Sequence, residues 1–365
     1  MADQSAGGRV ALVGAGPVGL VCARWLLHYG LRPTLFEAGP EVGGVWREKG
    51  GVAWPSMTTN ISRQITHFFG LELRSTGFFP TTAEVREYLR EYADRFDLLR
   101  HTRLEHLVLR TTLLPDRKWR VRFRNQSSGL EDEETFDLLV VTSGSYTKPH
   151  VPLCFERVLA ASPDFEGTVH HSRDFPKLFP AGNAPSSLAG KNVLLVGGSY
   201  SATEIMSELI GHEDPKLNAK RVFWLMRRPR WLVGKWLPYE AAGGKLLPHD
   251  LVQLRRSNKR AASETSERAP DEWRAANEQM ERLCPEQSTL LGGKLHIDRK
   301  RYYSLPPRRL LTWNYGLFRQ SSSAEHLEVL LEEKLTRLGG RWTEFESGIR
   351  VECDAILSVP ASCSM

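Results

Sequence analysis

The stretch Arg9-Val-Ala-Leu-Val-Gly-Ala-Gly-Pro-Val-Gly19 joins a short apolar run to a glycine-rich turn near the start of this chain. An apolar run that ends at glycine predicts a buried parallel strand. Residues Pro17 to Tyr29 follow helical spacing, and Gly30 stands where a helix C-terminal glycine is expected. Because Pro33–Glu37 predicts a further strand, this region predicts a βαβ unit.

The glycine turn of this unit carries the G-x-G-x-x-G pattern of dinucleotide-binding folds. The first glycine allows the tight turn, the second lets the backbone approach a pyrophosphate, and the third permits close helix–strand packing. The N-terminus of the following helix offers N–H groups to phosphates. Glu37, 18 residues after Gly19, can accept hydrogen bonds from ribose hydroxyls. The candidate residues are Gly14, Ala15, Gly16, Pro17, Val18, Gly19 and Glu37.

A second βαβ unit is predicted from Lys191 onward. Asn192–Val196 predicts a strand, Ala202–Ile210 a helix and Arg221–Met226 the next strand. Arg227 and Arg228 end that strand, where guanidinium groups can hold a 2′-phosphate and thereby favour NADPH over NADH. A solvated basic strand end is the alternative interpretation. The predicted fold is α/β with two dinucleotide-binding, Rossmann-like domains.

One more helix and three more strands are predicted from local pattern. Thr82 to Phe96 predicts a helix that begins at Thr81 or Thr82. Trp119–Phe123 and Phe136–Val141 predict strands, the second apolar enough to be central, with Glu131–Glu134 as an exposed hairpin turn between them. Val351–Leu357 predicts a strand near the end of the chain.

Composition excludes several classes of protein. The hydrophobic fraction of 41% and charged fraction of 25% are typical of a soluble chain with more than one domain. The net charge of +6 comes from scattered basic residues, so we expect no nucleic-acid partner. Five cysteines without a CxxC pair argue against zinc and dithiol sites and favour reduced thiols in a cytoplasmic protein. The sequence contains no 18-residue apolar run, so we expect no membrane span, and we expect no signal peptide because Met1–Arg9 is polar and small.

Four further segments resemble the flavin-containing monooxygenase family. They are Glu37–Trp46 with its Gly-Gly-x-Trp pattern, Pro55–Ser62 with a Thr-Asn pair, Leu139–Pro149 as the linker strand, and Phe165–Phe175, which fits the fingerprint FxGxxxHxxx(Y/F). The resemblance is clear from Arg9 to about Arg230 and weak to Leu357. It implies FAD in the first domain, NADPH in the second and a NADPH domain inserted into the FAD domain.

The resemblance also implies site residues. Asn60 is the catalytic candidate, because the family places this amide beside the flavin and the nicotinamide. The residues implied near FAD are Gly44, Val45, Trp46, Thr59, Asn60, Ile61, Ser143 and Gly144. The residues implied near NADPH, from the aligned second glycine turn, are Gly197, Ser199, Tyr200, Ser201, Ala202, Thr203 and Glu204.

The expected domains are 1–160 for FAD and 161–345 for NADPH, the latter with a variable insertion at about 235–320. Residues 346–365 are expected to be an incomplete returning strand of the FAD domain. The family continues with Ala-Thr-Gly-Tyr and a further segment, where this chain has Ser358-Val-Pro-Ala-Ser-Cys-Ser-Met365, so we expect a shortened form. The oligomeric state stays open.

The resemblance implies oxygenation of a soft nitrogen or sulfur in a small molecule, with O2 as co-substrate and a C4a-hydroperoxyflavin as the oxygen donor. Two alternatives remain. Ketone oxygenation of the Baeyer–Villiger type is favoured weakly by Pro176 and opposed by the aromatic Phe175. A non-catalytic, nucleotide-binding form is the other.

Overall fold

The computed structural model forms two compact units, Met1–Thr59 with Arg63–Lys148 and Asn60–Ser62 with Pro149–Met365. The described residues are 7–146, 148–179, 186–212, 214–226, 232–239, 243, 245–248, 250–251, 311–313, 327–331 and 334–359.

The first unit combines a parallel sheet with a small antiparallel sheet. Its strands are β1 (Arg9–Val13), β2 (Arg32–Phe36), β3 (Thr102–Arg103), β4 (His106–Leu113), β5 (Trp119–Asn125), β6 (Glu131–Phe136) and β7 (Leu138–Val141). Its helices are α1 (Pro17–His28), α2 (Arg63–Thr66) and α3 (Thr82–Arg95). The parallel sheet has the order β3-β2-β1-β7, and β4-β5-β6 form the antiparallel sheet. The first predicted βαβ unit is confirmed.

The core of this unit lies between the parallel sheet and the helices α1 and α3. Leu12 of β1 and Tyr92 of α3 are fully buried in the same cluster. Helix α3 begins at the predicted place because Thr81 and Glu84 form a reciprocal capping box at its N-terminus. Strand β7 lies at the end of the parallel sheet within the part of the chain that is described, so the expectation that it is central is wrong.

The predicted hairpin turn at Glu131–Glu134 is also wrong, since these residues belong to β6 and pair with β5. The turn lies earlier, where Gly129 has a φ of +74° and the side chain of Asn125 accepts the N–H groups of Ser127 and Ser128. Cross-strand ion pairs connect the acidic strand to β5, as between Glu131 and Arg122 at 2.5 Å. In β6, charged residues that face opposite charges on β5 therefore stand where most strands have alternating apolar residues.

The second unit contains a five-stranded parallel sheet. Its helices are α4 (Leu153–Ala160), α5 (Phe175–Leu178) and α6 (Tyr200–Ile210). Its strands are β8 (Thr168–His171), β9 (Asn192–Val196), β10 (Arg221–Met226), β11 (Leu232–Gly234), β12 (Trp236–Tyr239), β13 (Lys245–Pro248), β14 (Leu311–Trp313), β15 (Leu327–Leu331), β16 (Leu335–Gly339), β17 (Trp342–Phe345), β18 (Arg350–Glu352) and β19 (Ala355–Ser358). The parallel sheet has the order β15-β10-β9-β19-β8, and β16-β17-β18 form an antiparallel sheet. The remaining pairs are β11 with β14 and β12 with β13.

Two expected boundaries differ from the structure. Residues 149–160, expected in the first domain, belong to the second unit, and the helix α4 within them packs there because Phe155 is buried in one cluster with Leu194 and Phe223. Strand β19, expected to return to the FAD domain, instead pairs in parallel with β8 and β9. All four of its residues are buried, as a strand in the middle of a sheet requires. The expected single strand Val351–Leu357 is divided between β18 and β19.

Among the described residues, the helices lack the length and apolar character that crossing a membrane would need. The same residues contain no group of three or more His, Cys, Asp or Glu that could hold a metal ion. Cys22, Cys154 and Cys353 are free thiols.

Candidate functional site

The first glycine turn joins β1 to α1 at the carboxyl end of the parallel sheet. Gly14 has a φ of +105°, and a Cβ there would meet the carbonyl oxygen of Thr142 at 2.6 Å. A Cβ at Gly19 would lie 2.1 Å from the carbonyl oxygen of Gly14. The fold itself therefore requires glycine at both positions. Gly14 is required by its backbone conformation, and Gly19 by the close approach of the helix to the strand.

Gly16, the middle glycine, is different. A Cβ built on it would meet no described protein atom closer than the Cα of Gly44 at 3.6 Å, which is an ordinary contact. Its φ of −74° is open to any residue. The described residues therefore leave space above Gly16 that a Cβ would fill, at the N-terminus of α1, where no side-chain hydrogen bond caps the helix. This arrangement fits a pyrophosphate.

Glu37 follows β2 and is tied to the glycine turn. Its side chain is buried, and Oε2 accepts the N–H of Ala15 at 2.9 Å. Oε1 accepts the N–H of Gly39 at 2.7 Å and a guanidinium N–H of Arg47 at 2.8 Å. Each carboxylate oxygen has two lone pairs, so Oε2 keeps capacity for one more donor, such as a ribose hydroxyl. Arg47, directly after Trp46, is a site residue that the sequence analysis missed.

The segment from Gly43 to Trp46 lies against the same turn. The N–H of Gly43 donates to the carbonyl oxygen of Ala15 at 3.0 Å, and a Cβ at Gly44 would meet the Cα of Gly16 at 3.0 Å. Trp46 packs partly buried against the core of the unit. The carbonyl oxygen of Val45 accepts N–H groups from Val52 and Ala53. The structure thus brings this predicted segment beside the predicted turn.

The linker after β7 reaches the turn from the other side. The hydroxyl oxygen of Thr142 lies 3.0 Å from the carbonyl oxygen of Val13 and 2.9 Å from that of Gly14, and its single proton is shared between these two acceptors. Ser143 and Gly144 follow and are exposed. Thr142 is a second residue that the sequence analysis left out of the site, although it stands in the Thr-Ser-Gly segment that signalled the linker.

The Thr-Asn pair divides between the two units. Thr59 is buried in the first unit, where its N–H donates to the carbonyl oxygen of Pro80 at 2.8 Å. Asn60 and Ile61 group with the second unit. The side-chain oxygen of Asn60 is buried and has no hydrogen-bond partner among the described residues. A buried amide oxygen without a donor carries an energetic cost that a bound group would remove.

The second glycine turn joins β9 to α6. Gly197 has a φ of +128°, and a Cβ there would lie 1.9 Å from the carbonyl oxygen of Val359. The indole N–H of Trp224 donates to the carbonyl oxygen of Gly197 at 2.6 Å. The turn is therefore held between β19 on one side and β10 on the other.

Ser199 is the N-cap residue of α6, but its hydroxyl makes no capping hydrogen bond. That hydroxyl oxygen is buried and has no partner among the residues described. Ser201 is exposed in the first turn of the helix, whereas Ala202 and Thr203 are buried in the interior. An uncapped helix N-terminus with an unpaired hydroxyl fits an anionic group such as a phosphate.

Glu204 contacts protein rather than solvent. Its Oε1 lies 3.2 Å from Nζ of Lys235, and both side chains are largely buried. Burial raises the pKa of Glu204, and the charge of Lys235 opposes that rise without cancelling it. Lys235 lies between β11 and β12, where the sequence pattern gave no signal. Arg227 and Arg228, the candidates for the 2′-phosphate, lie outside the described residues.

The fingerprint Phe165–Phe175 packs within the second unit. A Cβ at Gly167 would lie 2.4 Å from the ring of Phe165 and 2.8 Å from the carbonyl oxygen of Asp354. Nδ1 of His171 accepts the N–H of Arg173 at 3.0 Å, and burial lowers the pKa of this histidine, which favours the neutral ring. Phe175 is fully buried and stacks on Phe179. The fingerprint thus forms β8, the last strand of the five-stranded sheet within the described residues, and the packed turn that follows it.

Sequence comparison identifies the family. The profile described as flavin-binding monooxygenase-like matches residues 7–291. The chain belongs to this family. Dimethylaniline monooxygenase [N-oxide-forming] 2 from Cavia porcellus is 31% identical over 240 residues, which are 62% of this chain and 41% of that protein. The chain thus spans less than half the length of the curated relatives it matches.

Solved structures share the two-domain Rossmann-like fold. The open structure of cyclohexanone monooxygenase matches 99% of this chain and 74% of its own, with a TM-score of 0.62 and 18% identity. S-allyl-L-cysteine S-oxygenase from Allium sativum matches 96% of this chain and 62% of its own, with a TM-score of 0.55 and 20% identity. At these identities the likeness is one of fold.

Proposed function

We propose that the chain is an FAD- and NADPH-dependent monooxygenase that transfers one atom of O2 to a soft nitrogen or sulfur of a small molecule. The observation that carries this proposal is the space above Gly16. Packing among the described residues explains glycine at positions 14 and 19 but not at position 16, and we attribute glycine at position 16 to a bound group. The chain belongs to a flavin-binding family, so we propose that this group is FAD.

The first unit provides the FAD site in this proposal. When bound, FAD activates O2 after reduction by a hydride from NADPH. The backbone around Gly16 and the N-terminus of α1 hold the pyrophosphate, while Glu37 holds the adenosine ribose. Trp46 and its neighbours Gly44 and Val45 cover the turn, and Thr59, Ile61, Ser143 and Gly144 complete the binding residues.

The second unit provides the NADPH site. Gly197 allows the tight turn, and Ser199 and Ser201 face the phosphates from the N-terminus of α6. Arg227 and Arg228 hold the 2′-phosphate, which selects NADPH over NADH. Tyr200, Ala202 and Thr203 shape the same helix turn, and Glu204 acts through its pair with Lys235. Asn60 is the catalytic residue proposed to hydrogen-bond the reacting cofactors through its side-chain amide.

Nitrogen and sulfur are the proposed targets for two reasons. The relative from Cavia porcellus is named as N-oxide-forming, and the fingerprint of this chain ends in Phe175, as in the amine- and sulfur-oxidising group. Ketone oxygenation is the alternative, since Pro176 follows Phe175 and cyclohexanone monooxygenase shares the fold. A cytoplasmic location with reduced thiols stays a prediction.

The proposal is tested with the purified chain supplied with FAD, NADPH and three probes: a tertiary amine, a thioether and a cyclic ketone. We expect NADPH oxidation coupled to N-oxide and sulfoxide formation, with no lactone. Lactone as the main product would establish the ketone alternative instead. NADPH oxidation that yields hydrogen peroxide alone, or no oxidation by flavin-loaded protein, would refute the oxygenase and leave the non-catalytic nucleotide-binding form.

A further inference from the structure

Asp250 makes a buried contact that the family resemblance did not predict. The backbone N–H of Ser62 donates to Oδ2 of Asp250 at 2.9 Å, and the hydroxyl of Ser62 donates to the same oxygen at 2.7 Å. Ser62 is fully buried and Asp250 is 7% exposed. Two donors of one residue thus converge on one carboxylate oxygen that comes from a position 188 residues later in the chain.

We propose that Asp250 is a positioning residue that holds the segment Asn60–Ser62 through Ser62. The role of Asn60 in this inference rests on the proposed function. The segment comes from the first part of the chain but groups with the second unit, to which Asp250 also belongs. The contact with Asp250 is a direct physical reason for that grouping.

The burial of Asp250 requires a reason, because a carboxylate removed from water is unfavourable unless donors replace the lost hydration. Ser62 supplies two donors, and charge-assisted hydrogen bonds of this kind are stronger than neutral ones. The other oxygen, Oδ1, is buried and has no hydrogen-bond partner among the described residues. Among the described residues, the hydrogen bonds of the Asp250 side chain therefore go to Ser62.

Asn60 depends on its backbone for its position. It lies two residues before Ser62, and its side-chain oxygen accepts no hydrogen bond from the described residues. Because no described residue holds this oxygen, we take the position of the amide to be set by the segment that carries it. A reacting group misplaced by even a small distance loses much of its effect. Asp250 acts on Asn60 in this way, through Ser62 and the backbone, without touching substrate or cofactor.

The first measurement does not require turnover. Hydrogen exchange of the Ser62 amide is compared in the wild type, Asp250→Ala, Asp250→Asn and the control Asp354→Ala. Asp354 is a matched control because its Oδ2 also accepts a backbone N–H, that of Asn192 at 2.9 Å. We expect exchange to rise about tenfold in Asp250→Ala, since a net hydrogen bond is worth roughly that factor, and to recover in Asp250→Asn. Unchanged exchange in Asp250→Ala, or an equal rise in the control, would overturn the proposal.

The second measurement is a double-mutant cycle with Asn60→Ala, read as sulfoxide formed per NADPH consumed with a thioether probe. We expect Asp250→Ala to lower this ratio by roughly tenfold or more in the wild-type background and to cause no further loss beside Asn60→Ala. Independent, additive losses would show that Asp250 does not act through Asn60 and would overturn its positioning role. If the wild type forms no oxygenated product, the proposed function falls, while the exchange experiment still decides whether Asp250 holds the segment.

Discussion

Nζ of Lys235 lies 3.2 Å from Oε1 of Glu204, and only 3% of the lysine side chain and 12% of the glutamate side chain are exposed. The pair links the start of α6, which follows the second glycine turn, to the segment between β11 and β12. A buried charge that loses its partner is strongly unfavourable, whereas an exposed pair contributes little. Removing one partner of this pair should therefore strongly lower the free energy of unfolding.

We predict that Lys235→Met lowers the free energy of unfolding by about 3–5 kcal/mol at pH 7, because Glu204 stays buried without its counter-charge. Lys177→Met is the control, since Lys177 pairs with Asp174 over the same 3.2 Å but its side chain is 81% exposed. The control is expected to change stability by no more than about 0.5 kcal/mol. Urea unfolding of both variants measures the difference, and equal effects would contradict the burial argument.

The same variant has a predicted pH dependence. Burial raises the pKa of Glu204 in the folded protein, and removal of Lys235 takes away the charge that opposes the rise. A carboxyl group with a raised folded pKa destabilises the protein as pH rises above its ordinary value of 4.5. The deficit of Lys235→Met should therefore be smaller at pH 5 than at pH 7, in the same urea experiment. A deficit that grows on acidification would contradict this sign.

Glu84 predicts the opposite pH dependence in the first unit. Partial burial opposes its ionisation, but hydrogen bonds from the N–H groups of Thr81 and Thr76 and from nearby hydroxyls outweigh burial and lower its pKa from 4.5 to about 2. Its contribution is present above pH 4.5 and is lost as pH falls towards 2. We predict that Glu84→Gln costs about 1–2 kcal/mol at pH 7 and that the cost declines below pH 4.5. Glu87→Gln, an exposed change on the same helix, is the control, and a cost independent of pH would argue against the capping carboxylate.

Ser199 predicts a change in nucleotide affinity without a loss of stability. Its buried hydroxyl has no partner among the described residues, so Ser199→Ala should leave the unfolding midpoint unchanged or raise it slightly. A lost hydrogen bond to a phosphate should weaken NADP+ binding about tenfold. Ser207→Ala is the control on the same helix, because that hydroxyl donates to the carbonyl oxygen of Thr203. Calorimetric titration with NADP+ measures the affinity of the wild type and both variants. Unchanged affinity in Ser199→Ala would show that Ser199 is not part of the site.

The sequence predicted both βαβ units because their signals are local: an apolar run, a glycine turn and a helical pattern within about 30 residues. The roles of Gly14 and Gly19 follow from the same short pattern. The hairpin at Gly129 was misplaced because β6 is acidic and carries no apolar alternation. Its strand character depends on arginines of β5, which pattern alone does not connect to it.

The contacts that the sequence did not predict join distant positions. Arg47 and Thr142 stand next to recognised motifs in the sequence. Their residue types could have indicated these contacts, since an arginine can pair with Glu37 and a threonine hydroxyl can bond to a glycine turn. Lys235 and Asp250 lie in the expected variable insertion at about 235–320, where no motif gave such a signal. The position of β19 was likewise not predictable from the sequence. Its buried residues fit between β8 and β9, but sequence spacing does not distinguish one parallel sheet from another.

The central claim is that the space above Gly16 belongs to FAD, and Gly16→Ala tests it with a single methyl group. The added Cβ meets no described protein atom closer than 3.6 Å, so the fold should lose no more than about 1 kcal/mol, the usual cost of alanine at an N-cap. Gly77→Ala is the control, since its Cβ would also find only ordinary contacts, the nearest at 3.8 Å, and Gly77 lies away from the turn.

The most direct measurement is the flavin absorbance per chain of purified wild type, Gly16→Ala and Gly77→Ala after supply with FAD. We predict about one flavin per chain in the wild type and in Gly77→Ala, and at least about a tenfold loss of flavin affinity in folded Gly16→Ala. Wild-type affinity in Gly16→Ala, or a folded wild type that holds no flavin at all, would contradict the account.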